Sequence, residues 1–485
     1  MIRIKNLGPI RDFTLDLEKN FSLFVGDNNI GKSYAITLVY LIVKNIIESV
    51  PGRNSNINRF SMHNPFINFA DMFDEDEIFK NKKNLVDAVS KLKQREVKNI
   101  KEIVQCDIKS AFERLMLPAI QNSLANTFSS LDNLKNRFST EEPEIILSTN
   151  DTEIKITLNS AKLSIKSIST TKEFELKKIK QTRTPHNSDN KTTIYCFENE
   201  EKNGYFYSLY VNIVLFGNVF KFCHDFTRDI QSVHYLPASR SGLYQALSAF
   251  GQIIAELSKN RSFLSKKIEL PGISEPVSDY FIRLSDIRVT KKNFEDKLVN
   301  EIAKSIEEDI LKGKVEFNTQ TKQLMFFPKN TDLKLELSST SSMVSELAPI
   351  VSYLRYVITQ NTRGSRIKNR KFKHLIMIEE PEAHLHPEIQ IKLTEIFSKL
   401  VNADVKLIIT SHSNYIFNKI NNLIISKDID VDDVYACVFK QTKSGSIAQP
   451  LPADLLGIED DNFSDTTNEL FEEKMSLIDS LNKME

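Results

Sequence analysis

The chain has 485 residues, 41% hydrophobic and 26% charged, a balance that suits a globular protein with a large core and more than one lobe. Its 64 basic residues offset its 64 acidic ones, so net charge neither predicts nor excludes a nucleic-acid partner, and only local patches can speak. Cys106, Cys196, Cys223 and Cys437 are scattered without a Cys-x-x-Cys pair, which argues against a disulfide framework or a zinc ribbon and predicts a reducing, cytoplasmic setting.

Met1 leads into MIRIKNLGPI, which alternates like a first strand with no signal peptide ahead of it. FSLFV reads as a second strand and the segment from Lys32 as a helix. The apolar run Ala35 to Val43 is too short to span a bilayer and is expected to be a buried helix. From Pro51 the pattern turns helical and polar, clearest in KNLVDAVSKLKQREVKNIKEIV and IKSAFERLMLPAIQNSLANTF. EIKITL, AKLSIKSI, TTIYCF and YFYSLYV then alternate like antiparallel strands, interrupted by the loop KQTRTPHNSDNK.

QSVHYLPASRSG reads as a strand entering a glycine turn, followed by helices and a strand meander, KVEFNTQTKQLMFFP with LKLELSS. The last third returns to helix (VSELAPIVSYLRYVI), strand (HLIMI), helix (IQIKLTEIFSKL) and strand (KLIIT). The expected fold is α/β, with a core split between the chain ends at 1–50 and 338–485. Between them lie a helical insert at 51–143, a mostly β lobe at 144–230, and a helical arm with the meander at 231–337.

Gly26-Asp27-Asn28-Asn29-Ile30-Gly31-Lys32-Ser33 satisfies G-x-x-x-x-G-K-[ST] in a chain with only 13 glycines. Glycines let successive backbone N–H groups turn inward toward phosphate oxygens, and the helix that starts there adds its positive end. Lys32 is expected to neutralise the β- and γ-phosphates of ATP, and Ser33 to ligate Mg²⁺. Asn28, Asn29 and Tyr34 complete the expected nucleotide-contacting set around Gly26 and Gly31.

Such a loop needs a carboxylate on a neighbouring strand for the metal, and hydrolysis needs a second to polarise water. Leu375-Ile376-Met377-Ile378-Glu379-Glu380 supplies both, Glu379 for the metal and Glu380 as general base. Most P-loop proteins have Asp first, so the longer Glu379 implies a retracted or water-mediated contact. His384 and His386, just beyond, also allow a metalloenzyme cluster with the nearby acids, although a third clear ligand is lacking. In LIITSHS, His412 ends a buried strand and fits a sensor for the γ-phosphate.

In this order the phosphate loop, SSMVSEL, LIMIEEPEAHLHP and TSHSNYI resemble the ABC-type ATPase heads of the SMC and RecF group. IRIKNLGPI, VHYLPASRSGL and EEPEAHLHP resemble more closely the ATPases of the OLD (overcoming lysogenisation defect) kind. The resemblance implies a P-loop ABC-type head formed by the two chain ends, with inserted helical and antiparallel β lobes. It implies that Thr340 to Glu346 is a signature segment whose Ser341 and Ser342 reach the γ-phosphate held by a second subunit. Met343 stands where the family has glycine. Glu382 to His386 matches the D-loop and His412 the switch histidine, while Arg240 is open to a role in supporting the nucleotide site.

One phosphate loop and one signature per chain imply a head-to-head homodimer, or a higher assembly, enclosing two ATP molecules. Many OLD-type proteins continue into a Toprim nuclease domain. Here the segment after Ser413 is short, and Glu459, Asp460 and Asp461 read as a solvated stretch rather than a two-metal site. The resemblance therefore extends to stand-alone ATPase subunits of Septu- and PARIS-type antiphage systems, in which the ATPase controls a separate effector, expected to be a nuclease.

Nucleic-acid contact stays open: the runs Arg363, Arg366, Lys368, Arg370, Lys371, Lys373 and Lys177, Lys178, Lys180, Arg183 are equally well explained as solvated loops. So do two other functions, a DNA-repair ATPase like the SMC and RecF proteins and a nucleotide-dependent scaffold with little hydrolysis.

Overall fold

The computed structural model describes residues 1–50, 82–93, 96–159, 162–179, 186–188, 190–197, 205–227, 230–238, 240–243, 273–289, 297–321, 323–359, 373–459 and 471–478. It is mixed α/β and divides into two compact units. One comprises Met1–Leu17 and Leu41–Gln231; the other comprises Glu18–Tyr40 and Ser232–Glu485. The first fifty residues, read from sequence as one block, are thus shared between the units.

In the first unit, strands Ile10–Leu15, Ile2–Leu7, Glu144–Ser148, Thr152–Asn159 and Lys162–Thr170 lie side by side, each antiparallel to its neighbour. They alternate apolar and polar residues, as strands with one covered face do. A four-stranded sheet contains Val97–Asn99, Glu173–Ile179, Lys191–Phe197 and His186–Ser188.

Several segments depart from the expected elements, among them KQTRTPHNSDNK, expected as a loop, which holds the strand His186–Ser188. KNLVDAVSKLKQREVKNIKEIV is broken, because Val97–Asn99 pairs with Glu175 to Lys177 and the Asn99 side chain accepts from Lys101 N at 2.8 Å, starting the helix Lys101–Leu115 afresh. YFYSLYV, expected as a strand, belongs to the helix Tyr205–Val214. Tyr210, Val211 and Val214 are buried at helical spacing, and the Tyr210 hydroxyl donates to buried Asp107 at 2.6 Å. This tertiary anchor overrides the strand preference of aromatic and β-branched residues.

The second unit is built on β1 (Phe21–Gly26), α1 (Lys32–Ser49, of which the residues to Tyr40 belong here), β2 (Ile230–Leu236, of which the residues from Ser232 belong here), α2 (Ser342–Ser352), β3 (Lys373–Glu379), α3 (Pro387–Asn402), β4 (Val405–Thr410), α4 (Asn414–Ile425), β5 (Val434–Thr442) and β6 (Gly445–Leu451). The strand order is β2-β3-β4-β1-β5-β6. β3, β4, β1 and β5 run parallel, and β6 returns antiparallel to β5. Every residue of β1 and β4 is buried, Ser22, Lys406 and Thr410 included, as in a parallel sheet covered on both faces. Glu379 pairs with Thr410 and Thr410 with Phe24. Three loops therefore leave the same sheet edge at nearly the same level, the place where open α/β sheets bind ligands.

The basic residues Arg363 to Lys371, together with Lys180, Arg183, Asp460 and Asp461, lie outside the described residues.

Candidate functional site

The loop after β1 turns on backbone angles that side chains resist: φ is +131° at Gly26, +61° at Asn29 and +94° at Gly31. A Cβ on Gly26 would stand 2.6 Å from the carbonyl oxygen of Phe439 and 2.7 Å from Cδ1 of Ile30. Asn28 and Asn29 are exposed, and Tyr34 is half-buried. Lys32 is 5% exposed and folds back so that Nζ donates to the carbonyls of Gly26 at 2.9 Å and Asp27 at 2.6 Å. Burial pulls its ammonium down to about 8, against the opposing charges of Glu380, Asp27 and Glu382.

β3 ends at Glu379, buried at 8% exposure. Burial pushes its carboxyl above the usual carboxylate range, opposed by hydrogen bonds from the hydroxyls of Ser33 and Tyr235. Tyr235 also shares a hydrogen bond with Thr37 Oγ1 at 3.1 Å. Glu380 follows with φ +41°, a left-handed conformation that costs a residue of this kind about 1–3 kcal/mol and persists only where surroundings enforce it. Here Glu380 N donates to the Thr410 carbonyl at 3.0 Å, and buried Arg240 donates from Nη1 to the Glu379 carbonyl at 2.8 Å and from Nη2 to that of Glu380 at 3.3 Å.

The Glu380 side chain is 40% exposed, with Oε1 3.7 Å from Nε2 of His412. His412 follows β4, and its ring bonds the Gly26 backbone. Burial lowers its pKa, and Lys32 lowers it further. Glu382 fixes the start of this loop: its Oε1 accepts from His412 N at 2.6 Å and from Ser411 Oγ at 2.9 Å.

The fold thus gathers Gly26, Lys32, Ser33, Glu379, Glu380 and His412, which the sequence supplies from three distant segments. Ser341 and Ser342 are exposed at the start of α2. Ser341 accepts from Val344 N at 3.5 Å and from Ser345, so its bonds close its own helical turn. His384 is exposed, and His386 caps α3 by accepting from Glu388 N. No group of three His, Cys, Asp or Glu that could hold a metal ion occurs among the described residues.

The family described as the AAA ATPase domain matches residues 1–417. The chain belongs to that family. No curated protein matches the chain. Solved structures similar to it include an SMC head bound to the C-winged helix domain of ScpA, at 9% identity over 93% of this chain and 96% of that one, with TM-score 0.36. The SMC head domain from Thermotoga maritima is 10% identical over 93% and 98%, with TM-score 0.33. A third, the Smc head with an extended coiled coil bound to the C-terminal domain of ScpA derived from Pyrococcus furiosus, is 8% identical over 98% of each chain, with TM-score 0.32. Likeness at this level carries nothing about the chemistry of this chain.

An AAA-domain ATPase works on a nucleotide whose metal is commonly Mg²⁺, and the residues present fit that ion. Oε1 of Glu379 is buried without a hydrogen-bond partner, and the Ser33 hydroxyl sits against the same carboxylate. A hard cation prefers oxygen donors of this kind, with phosphate and water filling the other positions.

Tyr235 and Thr410, which orient Glu379 and Glu380, were not singled out from sequence. Tyr235 lies in the VHYLPASRSGL segment already noted, but only strand pairing shows what its hydroxyl faces.

Proposed function

We propose that this AAA-domain ATPase is a P-loop enzyme of the ABC type that hydrolyses ATP between two copies of its second unit. The observation that carries the reading is the meeting of Lys32, Ser33, Glu379, Glu380 and His412 beyond the ends of β1, β3 and β4. The loop from Gly26 to Ser33 wraps the phosphates, with Asn28 and Asn29 at its exposed crest and Tyr34 behind it. Lys32 exchanges the carbonyls of Gly26 and Asp27 for phosphate oxygens. Ser33 and Glu379 hold Mg²⁺, which supplies charge neutralisation at the phosphates.

Glu380 is the general base. Its carboxylate is open to water, whereas that of Glu379 is enclosed, so the two adjacent acids divide the work by environment. It orients the attacking water and takes its proton, while His412 senses the γ-phosphate from the other side. Ser341 and Ser342, exposed at the positive end of α2, serve the nucleotide of the partner copy. That arrangement requires a head-to-head homodimer or a higher assembly of it.

The resemblance of IRIKNLGPI, VHYLPASRSGL and EEPEAHLHP to OLD-type ATPases supports a place in antiphage defence of the Septu or PARIS kind, with ATP-driven dimerisation controlling a separate effector nuclease.

The test is steady-state hydrolysis by wild type and Glu380→Gln, with the mass of each followed in ATP. The expected result is turnover reduced by about 10²-fold or more in the variant and a larger, ATP-trapped assembly. Equal turnover in both would remove Glu380 from the chemistry. ATP binding without turnover in the wild type would leave a nucleotide-dependent scaffold.

A further inference from the structure

The Arg240 guanidinium, 0% exposed, does more than brace the end of β3. Nη1 donates to the carbonyls of Glu379 at 2.8 Å and Pro237 at 3.0 Å, and Nη2 to that of Glu380 at 3.3 Å. The same Nη2 lies 3.3 Å from Oε2 of Glu346. Glu346 is 2% exposed and belongs to α2, one turn, or about 6 Å of helix, beyond Ser342. Its other oxygen accepts from Ser241 Oγ at 2.5 Å. One planar cation thus joins the helix that begins at Ser342 to the peptide groups on both sides of Glu380.

We propose that Arg240 and Glu346 are positioning residues that form a pin between the signature helix and the general base. The inference rests on the reading of Ser341–Ser342 and Glu380 given above. The left-handed backbone of Glu380 is held from its N–H by Thr410 and from its carbonyl by Arg240. Releasing Arg240 allows the Glu380 peptide to relax and its carboxylate to swing. When a second copy engages the start of α2, a shift of that helix moves Glu346, Glu346 draws Arg240, and the Glu380 carbonyl follows. Hydrolysis is thereby tied to the signature of the same chain being occupied.

A planar fork is needed to reach three carbonyls and a carboxylate at once, a task the single ammonium of lysine cannot repeat. Neither residue needs to touch nucleotide, so loss of the pin lowers turnover while leaving ATP affinity in place.

The experiment compares wild type, Glu346→Gln, Arg240→Lys and the double variant for kcat, KM for ATP and melting temperature. The expected result is a kcat lower by about tenfold or more in each single variant, KM within about twofold, and a double variant no worse than the poorer single one. Wild-type kcat in Glu346→Gln, equal losses in affinity and turnover, or losses that add in the double variant would overturn the pin.

Should Glu346→Gln fail to fold, Ser241→Ala loosens the same carboxylate without touching Arg240. A smaller fall in kcat at constant KM is then expected, and wild-type kcat overturns the proposal. Wild-type protein that binds ATP without turnover sinks the hydrolase reading alone. The pin is then judged by the ATP-driven change in mass: Glu346→Gln assembling like wild type overturns it, and loss of that assembly supports it.

Discussion

Lys32 shows how much of this site is already organised in one chain. Its ammonium is buried, and two of its three N–H donors are taken by the loop carbonyls that lead into the turn, so a bound phosphate would exchange with existing partners rather than meet a mobile side chain. The loop can curl this tightly because Gly26 adopts φ +131° against the Phe439 carbonyl. Gly26→Ala is therefore expected to cost about 1–3 kcal/mol of stability through strain alone. It should also weaken ATP binding at a temperature where the variant is still fully folded, which titration with a fluorescent ATP analogue beside a thermal scan would check. At this scale the grouping of the glycines, Lys32, Ser33 and the two glutamates was legible from sequence, because it depends on residue type at fixed local spacing. Glu346 stands in the segment Thr340 to Glu346, yet its partner Arg240 lies more than a hundred residues away, and no local pattern connects them.

Among the elements, α2 runs without a break into a π-helical turn, Tyr353–Ile358, just beyond the interior Pro349. Pro349 lacks the N–H that would bond the Ser345 carbonyl, and wider turns are one way a helix absorbs such a disturbance. A second π-helical turn, Ile306–Leu311, carries Glu307, which takes the Arg355 guanidinium in two bonds of 2.9 and 2.6 Å. This pair ties the two irregular turns together, with side chains only 9% and 6% exposed.

Glu307→Gln should therefore cost about 3–5 kcal/mol, because it leaves the buried arginine charge uncompensated. Replacing both residues with apolar ones of similar volume should restore most of the loss. Urea unfolding of the two variants would decide, and a loss below about 1 kcal/mol in Glu307→Gln would show that water reaches the pair. The helix from Ser342 was readable from its apolar spacing, but its π-helical turn was not, since hydrophobic periodicity does not register one extra residue per turn. The helix Tyr205–Val214 was misread for a related reason: alternating aromatic residues favour a strand until Asp107 supplies a buried partner for Tyr210.

The molecule as a whole has two units, and the second holds a buried polar network that links stability to pH. His234 is fully buried; Arg283, which can only donate, bonds its Nδ1, with the Tyr353 hydroxyl 3.0 Å from the same atom, and this leaves Nε2 to donate to Ser232 Oγ at 2.6 Å. Ser232 Oγ in turn bonds His374 Nδ1 at 2.8 Å. Burial holds the His234 pKa well below the ordinary 6.5, and Arg283 and His374 depress it further. The unfolded chain takes up a proton near pH 6.5 that the folded chain refuses, so this group leaves stability intact above that pH and erodes it as pH falls. The slope approaches about 1.4 kcal/mol per pH unit for one proton. Melting between pH 7.5 and 5.0 should show this fall, and His234→Gln should flatten it; an unchanged slope in the variant would assign the effect to other groups.

All four cysteines are free thiols, and no described helix is long and apolar enough to cross a membrane. The sequence by itself determined the α/β class, the glycine turn that leads into the helix at Lys32, and the acidic strand end, because strands, helices and tight turns are specified by residues close along the chain. Tertiary structure alone decided that His412 faces Glu380, that Tyr235 stands beside Glu379, and that Arg240 lies between Glu346 and the carbonyls of Glu379 and Glu380. Those meetings depend on the register of β3, β4 and β1, set by burial and strand pairing between segments that lie far apart in sequence.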